Sequence, residues 1–246
     1  MNAIVSALNS TVGRKWVMGL TGLLLVGFAA NHLVGNLTLF ANDNGASFNA
    51  YTELLHSLGG LLKVLELGLA ALFLTHIVTA ILITRDNKAA RPVAYAVNAD
   101  AGGPSRKSKA SVNMIMSGLI LLGFLIVHLW GLRFGDYYTI TDTGLIQLPE
   151  YAGMNPDARD LATLTVVKFK NPLYVLFYVG TVALLFMHLR HGFWSAFQSM
   201  GASSPKLEPV MRMTGIVVAG ALTAGFLLLP IWIFLDPMGM YTELVR

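Results

Sequence analysis

The sequence contains no cysteine, and this absence excludes several kinds of chemistry. Without thiols the chain forms no disulfide, holds no iron–sulfur cluster through thiolates and attaches no c-type haem covalently. Charged residues are scarce, at 12%, whereas apolar residues make up 55% and the mean hydropathy is +0.62. This composition predicts an integral membrane protein. The net charge of +4 is too modest to indicate a nucleic-acid partner.

Long apolar segments alternate with polar connections along the chain. At about 1.5 Å per residue, the first segment would form about 37 Å of helix, enough to cross a hydrocarbon core of about 30 Å. Polar residues that favour helix starts precede the first segment at Asn9, Ser10 and Thr11, and Asn171-Pro172 marks the start of the fourth. We therefore predict an all-α integral membrane protein that forms one domain over residues 1–246. Its five spans lie at about residues 15–40, 59–84, 112–134, 172–199 and 209–235.

The connections between the spans differ in charge. Residues 85–111 are the most basic stretch, and residues 135–171 hold five acidic residues. Residues 41–58 are interpreted as a loop that ends in a short helix, and the last 11 residues as a polar tail. Lys and Arg concentrate on one side of the alternating topology, which predicts a cytoplasmic N-terminus and a C-terminus outside.

Five of the six histidines lie inside apolar spans, and four of them, one from each of the first four spans, are ligand candidates. An ionisable side chain at membrane depth indicates a site, although a single such histidine also serves as a hydrogen-bonding group between helices. The helical rise places two of the four about 25 Å from the inner ends of their helices and the other two about 13–17 Å from them. Two pairs at two depths are what two bis-histidine haems require. The outer pair is His32 and His128, and the inner pair is His76 and His188.

The residues around these histidines leave alternatives open. His191 lies three residues after His188 and could replace it as a ligand, or it could neighbour the haem or a quinone. His56 lies in a loop and is interpreted as solvated. A small residue follows each ligand candidate by one turn, which suits either a porphyrin or close helix packing. These small residues are Gly35, Ala80, Gly131 and Gly192.

Three runs of the sequence resemble a known family. They are GRKWVMGLTGLLLVGFAANHLVGNL, FKNPLYVLFYV and HLRHGFWSAFQSMG. In combination they resemble the five-helix, two-haem cytochrome b membrane subunit of succinate dehydrogenases and fumarate reductases, the succinate:quinone oxidoreductases. The resemblance covers nearly the whole chain.

This resemblance implies a bundle of five transmembrane helices that encloses two haem b groups. Such a subunit anchors a flavoprotein and an iron–sulfur subunit at the cytoplasmic face of the bacterial inner membrane. It carries electrons between them and a membrane quinone, usually menaquinone, in the respiratory chain and the tricarboxylic acid cycle. The whole complex can form a homo-oligomer. By motif position, His76 and His188 would hold the haem nearer the iron–sulfur partner, and His188 is preferred to His191.

Other polar residues are candidates for the quinone and the haem propionates. The resemblance matches Glu53 to a carboxylate near the outer quinone site, which makes it the first candidate for proton transfer, with Glu66 as the second. The alternative for both is a surface acid. Some relatives carry a glutamate two residues before the last ligand, where this chain has Phe186, so no proton route along the fourth helix is predicted. The candidates for propionate contacts are Arg190, Ser10, Arg14 and Lys15, which could instead be interfacial or topology charges.

Two other functions compete with this interpretation. A stand-alone transmembrane cytochrome b, of the b561 or hydrogenase type, would use the same histidines without the soluble subunits. A transporter or scaffold would have no cofactor. Two copurifying soluble subunits would distinguish the oxidoreductase subunit from a stand-alone cytochrome b. A haem difference spectrum would distinguish both of these from a transporter or scaffold.

Overall fold

The computed structural model of the chain describes residues 3–90, 113–202 and 204–245. Of the residues in these ranges, 79% are helical. Within these ranges the extended structure is limited to an isolated antiparallel bridge between Thr139 and Arg159. The predicted all-α class is confirmed.

The described part of the chain contains eight α-helices. A π-helical segment, Leu129–Arg133, continues directly from the fifth of them. Short 3₁₀ turns lie in the connections, and one of them, Leu37–Phe40, follows the second helix. The α-helices are α1 (Ala3–Asn9), α2 (Thr11–Asn36), α3 (Ala46–Ser57), α4 (Gly60–Ala89), α5 (Met114–His128), α6 (Leu161–Phe169), α7 (Pro172–Ser199) and α8 (Leu207–Leu235).

Among the described residues, five helical segments are long and apolar enough to cross a membrane, as a multi-pass membrane protein requires. They overlap the five predicted spans, but the first begins earlier, at Thr11, the second continues to Ala89 and the fifth begins at Leu207. Residue 112, where the third span was predicted to begin, and the basic stretch 91–111 lie outside the described residues. Along these segments large apolar side chains are exposed, such as Trp130 at 78% and Leu173 at 75%. Lipid tails would solvate such surfaces.

Side-chain caps confirm two of the predicted helix starts. Ser10 Oγ accepts a hydrogen bond from the Gly13 amide at 3.0 Å. Asn171 Oδ1 accepts from the amides of Leu173 at 2.9 Å and Tyr174 at 3.3 Å. These caps satisfy amides that the first turn of a helix leaves without backbone partners.

The described residues divide into two compact units, each made of three chain segments. The first unit comprises the described parts of Met1–Phe28, Gly68–Ile120 and Leu184–Gly220. Within it, α2 and α7 approach closely, because a Cβ on Gly19 would lie only 3.2 Å from Ala196 Cα. Such contacts through small residues are typical of membrane helices.

The second unit comprises the described parts of Ala29–Leu67, Leu121–Ala183 and Ala221–Arg246. It contains the large apolar core of the chain, in which Ile140, Leu145 and Tyr151 are almost completely buried. Residues 135–171, interpreted from the sequence as a polar connection, therefore contribute folded core. The loop at 41–58 is also more regular than predicted, since the 12-residue helix α3 occupies most of it.

A buried polar network ties α3 to α6 in this second unit. Asn49 donates from Nδ2 to Asp160 Oδ1 at 2.8 Å, and its own Oδ1 accepts from the Ala162 amide at 3.0 Å. Asp160 also caps α6 by accepting from the Thr163 amide at 2.9 Å. Tyr151 donates to the Asn44 carbonyl at 2.8 Å, and burial raises the pKa of its hydroxyl well above the usual range.

The C-terminal residues pack into the same core. Met240, Tyr241 and Leu244 are buried, and Tyr241 donates to the Leu39 carbonyl at 2.8 Å. Burial, with smaller contributions from Asp236 and Asp43, raises the pKa of Tyr241 to about 12. The segment predicted as a polar tail is therefore anchored by apolar and hydrogen-bonding side chains.

Candidate functional site

In the first unit, His76 of α4 is held by a hydroxyl group of α2. Its Nδ1 lies 3.1 Å from Thr21 Oγ1. That hydroxyl already donates to the Val17 carbonyl at 2.7 Å, and a hydroxyl has a single proton to give. The His76 ring is therefore the donor through Nδ1–H, and Nε2 keeps its lone pair.

His188 of α7 repeats this arrangement with α5. Its Nδ1 lies 3.0 Å from Ser117 Oγ, and Ser117 donates its proton to the Met114 carbonyl at 3.0 Å. The same count of donors leaves Nε2 of His188 unprotonated. His188 lies near both His76 and His191. The first unit thus brings together the two histidines predicted for the inner haem.

In the second unit, His32 of α2 and His128 of α5 lie next to each other. Their ring centroids are 5.8 Å apart, and the ring planes are nearly perpendicular, at 89°. Two imidazoles bound to one metal through bonds of about 2 Å would have centroids roughly 6 Å apart. The distance between the ring centres is therefore close to that of two imidazoles on opposite sides of one metal. Phe226 lies 5.9 Å from the His32 ring and Phe124 5.6 Å from the His128 ring.

A chain of phenolic hydroxyls supports His128. Its Nδ1 lies 3.1 Å from the Tyr178 hydroxyl, which lies 2.9 Å from the hydroxyl of Tyr174 one turn earlier on α7. Tyr178 is only 5% exposed. When Tyr178 donates to Tyr174, it accepts from His128 Nδ1–H, and Nε2 of His128 is left for a metal.

The donor set suits a haem iron better than a metal ion in an all-protein cage. Among the described residues, no group of three or more histidines and carboxylates could hold a metal ion, whereas a structural zinc site takes four protein ligands. Each unit instead supplies two imidazoles, which is the number that fills the two axial positions of a haem iron. The residues present therefore fit a bis-histidine haem in each unit.

The glycines near the histidines differ in what they make room for. A Cβ on Gly22 would lie 3.4 Å from His76 Cε1, and one on Gly118 would lie 3.6 Å from His188 Cε1. The predicted small residues Gly35 and Gly131 instead face Tyr51 and Tyr174, which would lie within 2.7 Å of an added Cβ. An added Cβ on Gly192 would meet nothing within 4 Å, so that position alone among these three glycines borders open space.

The two candidate carboxylates lie in different surroundings within the second unit. Glu66 accepts hydrogen bonds from both Nε and Nη2 of Arg133, at 3.0 and 3.2 Å, in a bidentate pair. Glu53 lines a cavity of about 320 Å³, together with Arg133 itself. Since Arg133 contributes to both places, it links the two candidates for proton transfer.

The cavity is polar and is shaped by the connection after α5. Arg159 donates to the carbonyls of Leu132 and Arg133 at 3.0 and 3.1 Å, and burial lowers the pKa of its guanidinium group. His56, predicted to be solvated, is exposed on the cavity wall. The volume lies at the lower end of what small-molecule sites use. The remaining lining residues are Thr52, Gly135, Tyr137, Asn155, Asp157 and Ala158.

Two of the four candidates for propionate contacts, all in the first unit, have other roles in this structure. Ser10 caps α2, and Arg14 donates to Asp86 at 2.6 Å. Lys15 and Arg190 are exposed, and His191 interacts electrostatically with Arg212 and Arg190. Their proposed contacts with propionates remain predictions.

The site predicted from the sequence did not include the hydroxyl groups behind the histidines. Thr21, Ser117 and Tyr178 each reach the Nδ1 of a histidine on another helix. The sequence pattern that could have indicated them is a hydroxyl residue followed by a glycine in an apolar helix, as in Thr21-Gly22 and Ser117-Gly118. Arg133 was missed as well, although it is the one arginine inside the third span, at its end.

Comparisons with protein-family models, with the curated proteins and with solved structures found no match for this chain.

Proposed function

We propose that this chain is the haem b-containing membrane anchor subunit of a succinate:quinone oxidoreductase, a succinate dehydrogenase or fumarate reductase. The observation that carries the proposal is the grouping of four membrane histidines two by two, one pair in each compact unit. In three of the four, a hydroxyl group engages Nδ1 and leaves Nε2 for iron. The three sequence runs that resemble the two-haem cytochrome b family support the choice of enzyme.

In this function the histidines bind and orient the two haems. When bound, each haem would supply one-electron transfer, and two imidazoles of this chain would hold it. His76 and His188 would hold one haem, and His32 and His128 the other. Phe124 and Phe226 pack against the second pair and keep water from it.

Quinone chemistry needs protons as well as electrons, and the cavity lined by Glu53 could supply them. A carboxylate at a cavity wall can exchange protons with solvent and pass them to a quinone oxygen within hydrogen-bonding reach. Arg133, bound to Glu66, places positive charge at the same wall and favours an anionic, partly reduced quinone. Glu53 is thus the proposed proton-transfer group, with Glu66 as its partner through Arg133.

The proposal implies partners and a location. The five apolar spans would lie in the bacterial cytoplasmic membrane, with the N-terminus inside and the C-terminus outside. The flavoprotein and iron–sulfur subunits would dock at the cytoplasmic face and carry out the succinate and fumarate chemistry. Menaquinone is the proposed membrane substrate.

Purification of the chain with its bound partners tests the proposal. We expect two haem b per chain in a reduced-minus-oxidised spectrum, two soluble subunits at equal stoichiometry, and reduction of both haems by succinate or by a menaquinol analogue. A lone dihaem protein would favour a stand-alone or hydrogenase-type cytochrome b. A purified chain without any haem band would reject both functions.

A further inference from the structure

Two similar pairs of adjacent residues, one on α2 and one on α5, face the two histidines of the first unit. On α2, Thr21 contacts His76 Nδ1, and the adjacent Gly22 faces Cε1 of the same ring. On α5, Ser117 contacts His188 Nδ1, and the adjacent Gly118 faces Cε1 of that ring. Each helix thus presents a hydroxyl group and an adjoining gap to an imidazole of another helix.

The hydroxyl groups act as fixed acceptors. Thr21 donates to the Val17 and Met18 carbonyls at 2.7 and 3.1 Å, and Ser117 donates to the Met114 carbonyl. Because these bonds belong to the helices' own backbone, they hold each oxygen lone pair in a set direction. Thr21 is also buried, at 7% exposure, so water competes little for that lone pair.

We infer that Thr21 and Ser117 are positioning residues that fix the tautomer and the ring orientation of His76 and His188 and thereby lower the reduction potential of one haem. This inference rests on the proposed haem-binding function. A hydrogen bond from Nδ1–H to an acceptor makes the imidazole a stronger electron donor through Nε2. Stronger donation stabilises oxidised iron more than reduced iron, and this sets the sign of the effect.

The glycines allow the arrangement sterically. A Cβ on Gly22 or Gly118 would meet the histidine ring at ordinary contact distance. A larger side chain at either position would occupy the place of the ring and turn it away from the hydroxyl group.

Thr21→Val and Ser117→Ala in the purified complex test the inference. Each variant removes the acceptor while nearly keeping side-chain volume. Redox titration should show about a tenfold rise in the ratio of reduced to oxidised haem at a given potential, about 59 mV for a one-electron couple. Both variants should shift the same haem and leave the other unchanged.

Thr79→Val is the matched control. Thr79 is likewise buried, at 7% exposure, and donates to the Thr75 carbonyl of its own helix at 2.6 Å, so it carries a comparable hydrogen bond close to His76. This control should leave both potentials unchanged. Thr21→Ser and Ser117→Thr keep a hydroxyl group and should retain the wild-type potential and the low-spin electron paramagnetic resonance spectrum, which reports ring orientation.

The outcomes separate this inference from the proposed function. Two haems with unchanged potentials and spectra in Thr21→Val and Ser117→Ala would overturn the inference and leave the function standing. A shift of equal size in Thr79→Val would also overturn it, because general helix packing would then be the cause. A wild-type complex without haem would reject the proposed function itself.

Discussion

The two units surround the same kind of histidine pair with different chemistry. In the first unit aliphatic hydroxyl groups hold Nδ1 of both histidines, and each hydroxyl is tied to its own helix. In the second unit the Nδ1 of His128 faces Tyr178, which also contacts Tyr174, and aromatic rings pack against both histidines. The same pair of side chains therefore lies in one polar and one mainly aromatic setting, so the two proposed haems should differ in potential.

The units also differ in how they are stabilised. The second unit has a large apolar core and a buried network around Asn49 and Asp160. In the first unit few large apolar side chains are buried, Trp194 among them, and much of its apolar surface is exposed. Its stability then depends more on lipid and on helix contacts through small residues, whereas that of the second unit depends on its folded connections.

Removal of a ligand should give the largest effect. His76→Ala and His188→Ala should each abolish the haem of the first unit, and His32→Ala and His128→Ala that of the second, because an iron that loses one axial imidazole is held weakly. Haem content per chain and redox titration of each variant measure this. His191→Ala should keep two haems. Loss of the same haem in His76→Ala and His128→Ala would break the division into two pairs.

Substitution of Gly45 should destabilise the second unit. Gly45 has φ of 79°, and an added Cβ would lie 2.5 Å from Ala162 Cβ. Left-handed strain and overpacking together suggest a cost of about 2–5 kcal/mol for Gly45→Ala. Gly144→Ala is the control, since its φ is 74° but a Cβ would meet nothing within 4 Å. Thermal unfolding followed through each proposed haem should show a larger loss of stability for Gly45→Ala than for Gly144→Ala, and the loss should appear at the haem of the second unit. Equal losses of stability in the two variants would contradict the close packing of Gly45 against Ala162.

Alkaline pH should also act on the second unit. The pKa of Tyr241 is raised from 10.0 to about 12, so its neutral form stabilises the folded state below pH 10. That contribution, up to about 3 kcal/mol, is lost as the pH rises through about 12. Tyr241→Phe should flatten the decline in thermal stability between these pH values. A decline of the same steepness in the variant would assign it to other groups.

Loss of the Tyr178 hydroxyl should affect only the second haem. Tyr178→Phe removes the partner of His128 Nδ1 and should raise the reduced-to-oxidised ratio of that haem up to about tenfold. Tyr174→Phe, which removes only the next hydroxyl of the chain, should have a smaller effect in redox titration. A shift in the haem of His76 and His188 would show that the two settings are not independent.

The ion pair of Arg133 with Glu66 should contribute least to stability. Both side chains are exposed, at 47% and 41%, and such pairs contribute about 1 kcal/mol or less. A double-mutant cycle with Arg133→Gln and Glu66→Gln should give a coupling energy of that size, which decreases as the salt concentration rises.

Glu53→Gln should lower quinone turnover with little change in thermal unfolding. An unchanged turnover would remove Glu53 from the proposed proton transfer.

The long elements could be predicted, but the folded connections could not. Each span shows itself in a local run of apolar residues, and Ser10 and Asn171 mark helix starts within a few residues of sequence. The connection 135–171 is polar on average, and its buried members, such as Ile140 and Leu145, are spaced without a regular period. Their burial depends on α3 and on the C-terminal residues, which are distant in sequence.

What the sequence determined by itself is the class of protein and the ligand candidates, because hydropathy and the depth of a residue along a helix are local properties of the chain. Tertiary structure decided the partners of those ligands. Thr21 and His76 are 55 residues apart, Ser117 and His188 71, and His128 and Tyr178 50. Whether a hydroxyl reaches an imidazole depends on how each helix is rotated about its axis and packed on its neighbour, and side-chain shape fixes that rotation only when the helices meet.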